Sequence, residues 1–434
     1  MPGPDRDVVE LCRDLIRIDT SNFGDGSGPG ERKAAEYVAD QLADVGIEPE
    51  IDEPEPGRTS VIARIDGADA TRNDALLIHG HLDVVPADAA DWTYHPFAAE
   101  IADECVWGRG AVDMKDMDAM ILSVIRDRMR TGRRPARPVV IAFLADEEAG
   151  GVKGAHWLVD HHPELFDGCT EAISEVGGFS LTVRDDVRLY LIETAQKGLE
   201  WMRLVAAGRA GHGSMVNDEN AVTAIAEAVA RIGRHEWPMQ LTPAVRAFFE
   251  AASDAFGESL EPDDAAALAA KLGNVAQMVG ATLRHTANPT MLEAGYKHNV
   301  IPGKAEAYVD GRFLPGLRDE FLTTIDELIG PGVQRETVHS DISVETEFSG
   351  DLVDAMTAAL IAEDPGARTV PYCLSGGTDA KSFSQLGIRN FGFAPLKLPP
   401  ELDFAGMFHG VDERVPIDSL QFGARVLDRF LDLA

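Results

Sequence analysis

The chain has 434 residues, with 39 Lys and Arg against 73 Asp and Glu, which gives a formal net charge of −34 at pH 7. A surface this acidic repels the phosphate backbone of nucleic acids and the anionic leaflet of a membrane, so a generic nucleic-acid binder is excluded. Hydrophobic residues make up 45% of the sequence, so the acidity is not the mark of a disordered chain. The length suggests about two or three domains.

The cysteine pattern and the chain terminus bear on the cellular compartment. The four cysteines, Cys12, Cys105, Cys169 and Cys373, stand far apart and form no CxxC pair. This spacing favours neither a disulfide scaffold nor a thiolate zinc site. We see no charged-then-apolar leader, and no apolar run approaches the roughly 20 residues of a membrane span. We therefore expect a soluble, cytoplasmic protein.

The N-terminal part of the sequence alternates helical and strand-like segments. Apolar residues at helical spacing predict helices over 7–18, 31–45 and 116–130. Short apolar runs predict strands over 60–65, 75–79 and 138–145. The acidic, Pro-containing segment 48–57 is predicted to be a loop. This alternation favours an α/β layer around a parallel or mixed sheet, where ligands gather at the carboxyl ends of the strands.

The pattern changes past residue 196. The next predicted elements are a strand over 199–207, a helix over 220–232, strands over 280–294 and 304–313, a helix over 318–329 and a last strand over 342–348. This β-α-β-β-α-β order predicts a small α+β, ferredoxin-like domain inserted into the larger one. The chain then returns with a helix over 352–362, a Gly-rich turn over 375–379, a strand around 391–394 and a closing helix over 416–433.

Imidazole and carboxylate side chains stand at the ends of two predicted strands. His81 and Asp83 follow the apolar run 75–78, and side chains two apart on extended backbone project to the same side. Asp83 can then accept a hydrogen bond from one ring nitrogen of His81 and leave the other nitrogen free for a metal. Residues 146–148 are three adjacent carboxylates at the end of another strand, which require a nearby cation or full solvation.

Further candidate ligands stand elsewhere in the chain. Asp113 follows a Gly-bracketed turn and precedes a helix, Glu175 ends an apolar run, and His409 stands in the loop before the last helix. Taken singly, each candidate is also compatible with a helix cap, a solvated acidic loop or a turn histidine. Taken together, two histidines and several carboxylates at strand ends suit zinc and related divalent metals.

Eight motifs in order make the chain resemble the M20 metallopeptidases over nearly its whole length. They are residues 79–86 (HGHLDVVP), 108–115 (GRGAVDMK), 146–148 (DEE), 174–177 (SEVG), 211–214 (GHGS), 299–302 (NVIP), 376–379 (GGTD) and the loop around His409. This co-catalytic dizinc family contains aminoacylase, glutamate-releasing carboxypeptidases, dipeptidases, acetylornithine deacetylase and succinyl-diaminopimelate desuccinylase.

The resemblance implies two divalent metal ions, zinc by default, with cobalt or manganese fitting the same ligands. Asp113 would bridge the two metals. His81 and Glu175 would complete one site, and Glu148 and His409 the other. Asp83 would orient His81. Glu147 would stay unligated as the general base that takes a proton from a water between the metals.

The resemblance also implies a zinc-exopeptidase-like α/β/α catalytic domain and a lid that mediates dimerisation. We predict residues 1–196 and 350–434 for the first and 197–349 for the second. His212 would reach the partner's active site and stabilise the oxyanion. Asn299 and Arg312, expected on neighbouring strands, would supply an amide contact to the substrate and a clamp for its carboxylate, respectively. Gly376 and Gly377 would lie against the acid end of the substrate.

The predicted reaction is hydrolysis of an amide or peptide bond next to a free carboxylate, in N-acyl amino acids or short peptides, by a homodimer. One alternative is a biosynthetic deacylase that removes acetyl or succinyl from a diamino acid. Another is a metal-binding scaffold without catalysis. The scaffold predicts damage at Glu147 or His212, and both residues are present.

Overall fold

The computed structural model describes residues 3–273 and 275–434. Within them the helices are α1 (Val8–Arg17), α2 (Arg32–Ala43), α3 (Lys115–Thr131), α4 (Ala155–His161), α5 (Ala221–Arg234), α6 (Pro243–Phe256), α7 (Ala265–Leu272), α8 (Val275–Ala281), α9 (Arg318–Ile329), α10 (Asp351–Glu363), α11 (Ala380–Ser384) and α12 (Ile417–Leu433).

The strands are β1 (Glu50–Glu55), β2 (Arg58–Ile65), β3 (Ala75–His81), β4 (Glu100–Ala102), β5 (Cys105–Trp107), β6 (Val139–Leu144), β7 (Cys169–Ser174), β8 (Phe179–Arg184), β9 (Val187–Gln196), β10 (Gly198–Ala207), β11 (Gly211–His212), β12 (Thr286–Ala294), β13 (Val300–Ile301), β14 (Lys304–Phe313), β15 (Val333–Asp341), β16 (Val344–Glu345), β17 (Ala367–Leu374), β18 (Arg389–Gly392) and β19 (Arg414–Pro416).

A large mixed sheet forms the centre of the molecule. Its strands follow the order β1-β2-β6-β3-β7-β18-β9-β16, with β8 and β17 also paired to β9. Strand β3 runs parallel to both β6 and β7, while β2 is antiparallel to β6. Alternate residues of β3 and β6 belong to two separate apolar clusters, one with α1, α3 and α12 and the other with α4. The strands are therefore buried on both faces, which explains their continuous apolar runs.

A second, four-stranded sheet has the order β12-β14-β10-β15, and every pairing in it is antiparallel. Helices α5 and α9 pack on one face of this small sheet, in a cluster of their own. Helix α5 begins where the Asn220 side chain accepts hydrogen bonds from the amides of Val222 and Thr223. The element order β10-α5-β12-β14-α9-β15 agrees with the predicted β-α-β-β-α-β order.

Two strand predictions and one loop prediction are wrong, each for a local reason. The last strand of the small sheet is β15, not 342–348, because the polar sequence of β15 hides its pairing with β10, while β16 pairs with β9 of the large sheet. Part of 280–294 belongs to α8, and β12 begins only at Thr286. The predicted loop 48–57 contains β1, an edge strand whose exposure tolerates acids and a proline.

Helices α6 to α8 and strand β17 have no counterpart in the sequence prediction. Residues of α6 and α7, including Phe248 and Leu268, pack with the core of the large sheet rather than with the small one. The segment 197–349 thus contributes to both cores, and the predicted domain limits stay a prediction.

The cysteines and the helices of the structure bear on two expectations from the sequence. All four cysteines are free, as their spacing predicts. Across the described residues, we find no helix that combines the length and the apolar character needed to cross a bilayer.

Candidate active site

His81 is the last residue of β3 and is buried. Its Nδ1 lies 2.9 Å from the backbone carbonyl oxygen of Asp83, and its Nε2 lies 3.1 Å from Asp113 and 3.5 Å from Glu175. Burial by itself lowers the pKa of His81, but Glu175 and Asp113 outweigh it and hold that pKa well above its usual value. The nearest Asp83 carboxylate oxygen is 3.6 Å from Nδ1, so the backbone carbonyl is the closer acceptor.

The Asp83 carboxylate instead holds the segment that follows strand β6. It accepts hydrogen bonds from the backbone amides of Glu147 and Glu148, both at 3.1 Å. The Asn22 amide nitrogen donates to it at 2.9 Å and to Asp146 at 3.1 Å. Asp83 and Asn22 therefore fix the Asp-Glu-Glu segment relative to His81. No local sequence signal points to Asn22, because it follows α1 and is remote from every predicted ligand.

Two groups of side chains share Asp113. One joins His81, Asp113 and Glu175, the other joins Asp113, Glu148 and His409, and within each group the ligand atoms lie within 4.8 Å of one another. The Nε2 of His409 is 3.2 Å from Asp113 and 3.1 Å from Glu148. One imidazole and two carboxylates in each group form a donor set that suits zinc and related divalent metals. The side chains of the two groups therefore fit two divalent cations, and Asp113 is common to both groups.

The pKa values of Glu148 and His409 are both raised in this crowded cluster of carboxylates. Burial, reinforced by Asp113, raises the pKa of Glu148 to about 7. Hydrogen bonds to Asp113 and Glu148 raise the pKa of His409 to about 10. His409 thus holds a proton where a cation would sit, so a metal has to compete with that proton for the site.

Glu147 belongs to neither group. Its Oε2 is 4.0 Å from Nε2 of His81, and its side chain is 15% exposed and lines the cleft described below. Burial and the charge of Glu175 raise the pKa of Glu147 well above its usual value. A carboxylate that lies beside the ligand groups, outside both, and holds a proton readily has the properties of a general acid and base.

Glu413 joins the two loops that carry Asp113 and His409. It is fully buried and accepts hydrogen bonds from Arg109 at 2.8 Å and from the amides of Val112 and Asp113 at 2.6 and 3.0 Å. The pairing of β5 with β19 brings these loops side by side. The sequence reasoning missed Glu413, although its place four residues after His409 is a signal in retrospect.

A cleft of about 630 Å³ lies between the candidate ligands and the small sheet. Its lining includes Glu147, Glu148, His409, Arg312, Gly376 and Gly377. A side-chain carbon at Gly377 would lie 2.7 Å from the Lys381 ammonium, so a larger residue there would require the lysine side chain to move. The Arg312 guanidinium already pairs with Asp310 through Nε at 2.8 Å and Nη2 at 3.2 Å.

His212 and Asn299 lie together, away from this cleft. Both are exposed, and the amide of Gly213 donates to the Asn299 carbonyl at 2.9 Å. Among the described residues that line the cleft, neither His212 nor Asn299 is found. Asn299 stands in the turn before β13, which pairs with β11, so its expected place on a strand beside that of Arg312 is wrong.

Known proteins similar to this chain cover most of its length. The sequence model of peptidase family M20/M25/M40 matches residues 77–433. Human aminoacylase-1 is 24% identical over 426 residues, covering 95% of this chain and 92% of that protein. An N-fatty-acyl-amino acid synthase/hydrolase of Xenopus tropicalis is 25% identical over 437 residues, covering 96% of this chain and 83% of that protein.

Solved structures show the same fold. An M20 family metallo-carboxypeptidase from Sulfolobus solfataricus superposes with a TM-score of 0.74 at 19% identity, covering 98% of this chain and 99% of that chain. A dinuclear metal binding peptidase of the M20 family from Bacillus subtilis gives a TM-score of 0.62 at 15% identity, covering 99% of this chain and 97% of that chain.

Fold and side chains together define a class of protein. A mixed α/β fold that gathers imidazoles and carboxylates at its strand ends, beside a free glutamate, has the features of a metallopeptidase. The chain belongs to the peptidase family M20/M25/M40, and it is an amide-bond hydrolase. The predicted family and fold class are confirmed.

Proposed function

We propose that the protein hydrolyses the amide bond of N-acyl amino acids or short peptides that carry a free carboxylate next to that bond. The observation that carries the proposal is Glu147, a partly buried carboxylate that belongs to neither ligand group and lines the cleft. Support also comes from similar proteins, which include an aminoacylase and a metallo-carboxypeptidase.

The side chains at this site would have distinct roles in the reaction. His81, Asp113 and Glu175 would hold one divalent cation, and Asp113, Glu148 and His409 a second. When bound, the cations supply Lewis acidity, which lowers the pKa of water and polarises a carbonyl. Glu147 takes the proton of the attacking water and returns it to the leaving amine. Its raised pKa suits the return step, because a weaker base would not hold the proton.

Arg312 is our candidate for holding the substrate carboxylate. It lines the cleft, and a guanidinium matches a carboxylate with two parallel hydrogen bonds. The pairing with Asp310 leaves Nη1 without a partner among the described residues. The substrate carboxylate would therefore bind at Nη1 or displace Asp310.

The substrate proposal is tested with Arg312→Met, which keeps the aliphatic stem but removes the charge. We expect the KM for N-acetyl amino acids and dipeptides to rise by about 10- to 100-fold, the size of a charge-assisted hydrogen bond, while the amidated analogues do not change. The control is Arg203→Met, on the same sheet face and paired with Glu336. Equal loss on acids and amides would refute the clamp. Cleavage of N-succinyl-diaminopimelate alone would replace the proposed function by the biosynthetic deacylase.

We also propose that the protein is a homodimer in which His212 serves the partner's cleft. Its exposure and its absence from the described lining of its own cleft support this arrangement. Co-expressed Glu147→Gln and His212→Ala chains test it, because a mixed dimer then contains one intact site. We expect about a quarter of wild-type activity from random pairing. No recovery, or a monomeric mass by light scattering of a fully active preparation, would contradict it.

A further inference from the structure

Part of the cleft wall that the small sheet forms is apolar. In β10 the side chains alternate, so Met202 and Leu204 enter the core beneath α5 and α9. Leu199 and Trp201 therefore face the opposite side, and both line the cleft.

A β-bulge adds two side chains of β15 to the same wall. Trp201 pairs with His339 and Met202 with Thr337, so Val338 is an extra residue in β15. A bulge places two consecutive side chains on nearly the same side of a strand, and Val338 and His339 both line the cleft. The rings of Trp201 and His339 lie 5.5 Å apart at 52°. We call the set of four cleft-lining side chains, Leu199, Trp201, Val338 and His339, the apolar wall.

The exposure of these side chains indicates a surface that meets a ligand. Trp201 is 45% exposed and Val338 57%. On the opposite side of the cleft, in the loop after Glu147, Val152 is 50% exposed. Large apolar side chains that remain exposed on both sides of a cleft, beside a few polar groups, are typical of a small-molecule site.

The charges next to the apolar wall show how a ligand would lie. Leu199 pairs with Arg312 of the neighbouring strand β14, and Trp201 pairs with Asp310. The guanidinium that would hold a carboxylate is therefore one strand away from the apolar wall. A ligand bound there has its apolar group a few ångströms from its carboxylate, since adjacent strands are about 4.8 Å apart.

We propose that Trp201, Val338 and His339 form an apolar subsite that selects substrates carrying a bulky apolar group, either as the acyl part or as the amino-acid side chain. The inference rests on the proposed function, because it places the substrate in the same cleft. Recognition here depends on contact with the indole ring and the valine methyl groups, and it does not depend on charge.

Trp201→Thr tests the subsite, because threonine suits a central strand but lacks the ring. The substrates are N-acetylglycine, N-acetylphenylalanine, N-octanoylglycine and N-octanoylphenylalanine. We expect kcat/KM to fall by about 10- to 100-fold for substrates with the recognised apolar group, and N-acetylglycine to be unaffected. If kcat/KM falls only for the substrates with the phenyl group, the subsite binds the amino-acid side chain. If it falls only for the substrates with the octanoyl group, the subsite binds the acyl part.

Two further variants and a binding measurement complete the test. Val338→Ala should cause a smaller loss in the same direction, and Ile361→Ala, 45% exposed on α10, should cause none. Equal changes on all four substrates, or no change on any, would overturn the subsite. Calorimetry of the metal-loaded protein with phenylalanine, glycine, octanoate and acetate needs no turnover, so it separates this inference from the proposed function. Loss of preference for the apolar products in Trp201→Thr supports the subsite, and equal binding by both proteins overturns it.

Discussion

Glu147→Gln is expected to lower kcat by about 10²- to 10⁴-fold, the usual contribution of a general acid and base, while leaving the metal content unchanged. The glutamine has nearly the same shape but can neither accept the proton of the water nor return it. Because Glu147 lies outside both ligand groups, its replacement should leave metal binding intact. The measurement is kcat for an N-acetyl amino acid, together with elemental analysis of the same preparation.

A surface glutamate provides the matched control for this experiment. Glu327 is exposed on α9, so Glu327→Gln removes one negative charge without reaching the cleft. It should retain wild-type kcat. If Glu147→Gln retained full activity at an unchanged metal content, another group would have to carry the proton, and our assignment of Glu147 would be wrong.

Asp113→Asn is expected to abolish activity by weakening both metal sites at once. Asp113 contributes to both ligand groups, with one oxygen toward His81 and the other toward His409. An amide has no negative charge and at most one oxygen ligand, so it cannot serve two cations. Loss of the cations would then leave the remaining carboxylates uncompensated. We expect the purified variant to hold less than about one metal ion per chain.

Two variants that each affect one metal site distinguish this result from a general loss of folding. His409 belongs to one group only, and its side chain is 57% exposed, so His409→Ala should fold normally and keep one metal ion. Glu175→Gln should affect only the group that contains His81. If Asp113→Asn lost no more metal than either single-site variant, the two groups would not share Asp113.

The positions of the strand ends could be predicted from the sequence because the signal is local. The apolar runs of β3 and β6 are buried on both faces, and polar side chains begin where burial ends. The sequence therefore predicts His81 and residues 146–148 at one edge of the sheet. Spacing alone could not join them to Asp113, Glu175 and His409, which come from separate loops. Only the resemblance to the M20 motifs grouped these residues.

Other features depend on contacts that a single sequence does not reveal. Strand β15 is polar because it lies at the edge of the small sheet with most of its side chains exposed, so its pattern resembles a loop. The buried acceptor role of Glu413 depends on pairing between two distant segments, β5 and β19. The Ala-rich helix α7 has too few large apolar residues for a clear helical period.

Titration of the metal-free protein with zinc, while amino-acid release from an N-acetyl amino acid or a dipeptide is followed, tests the central claim most directly. The claim is that two cations sharing Asp113 serve a single glutamate. It predicts that activity rises to a plateau at two zinc ions per chain and that a chelator abolishes it. A plateau at one ion, or no amino-acid release from a chain that holds two, would contradict it.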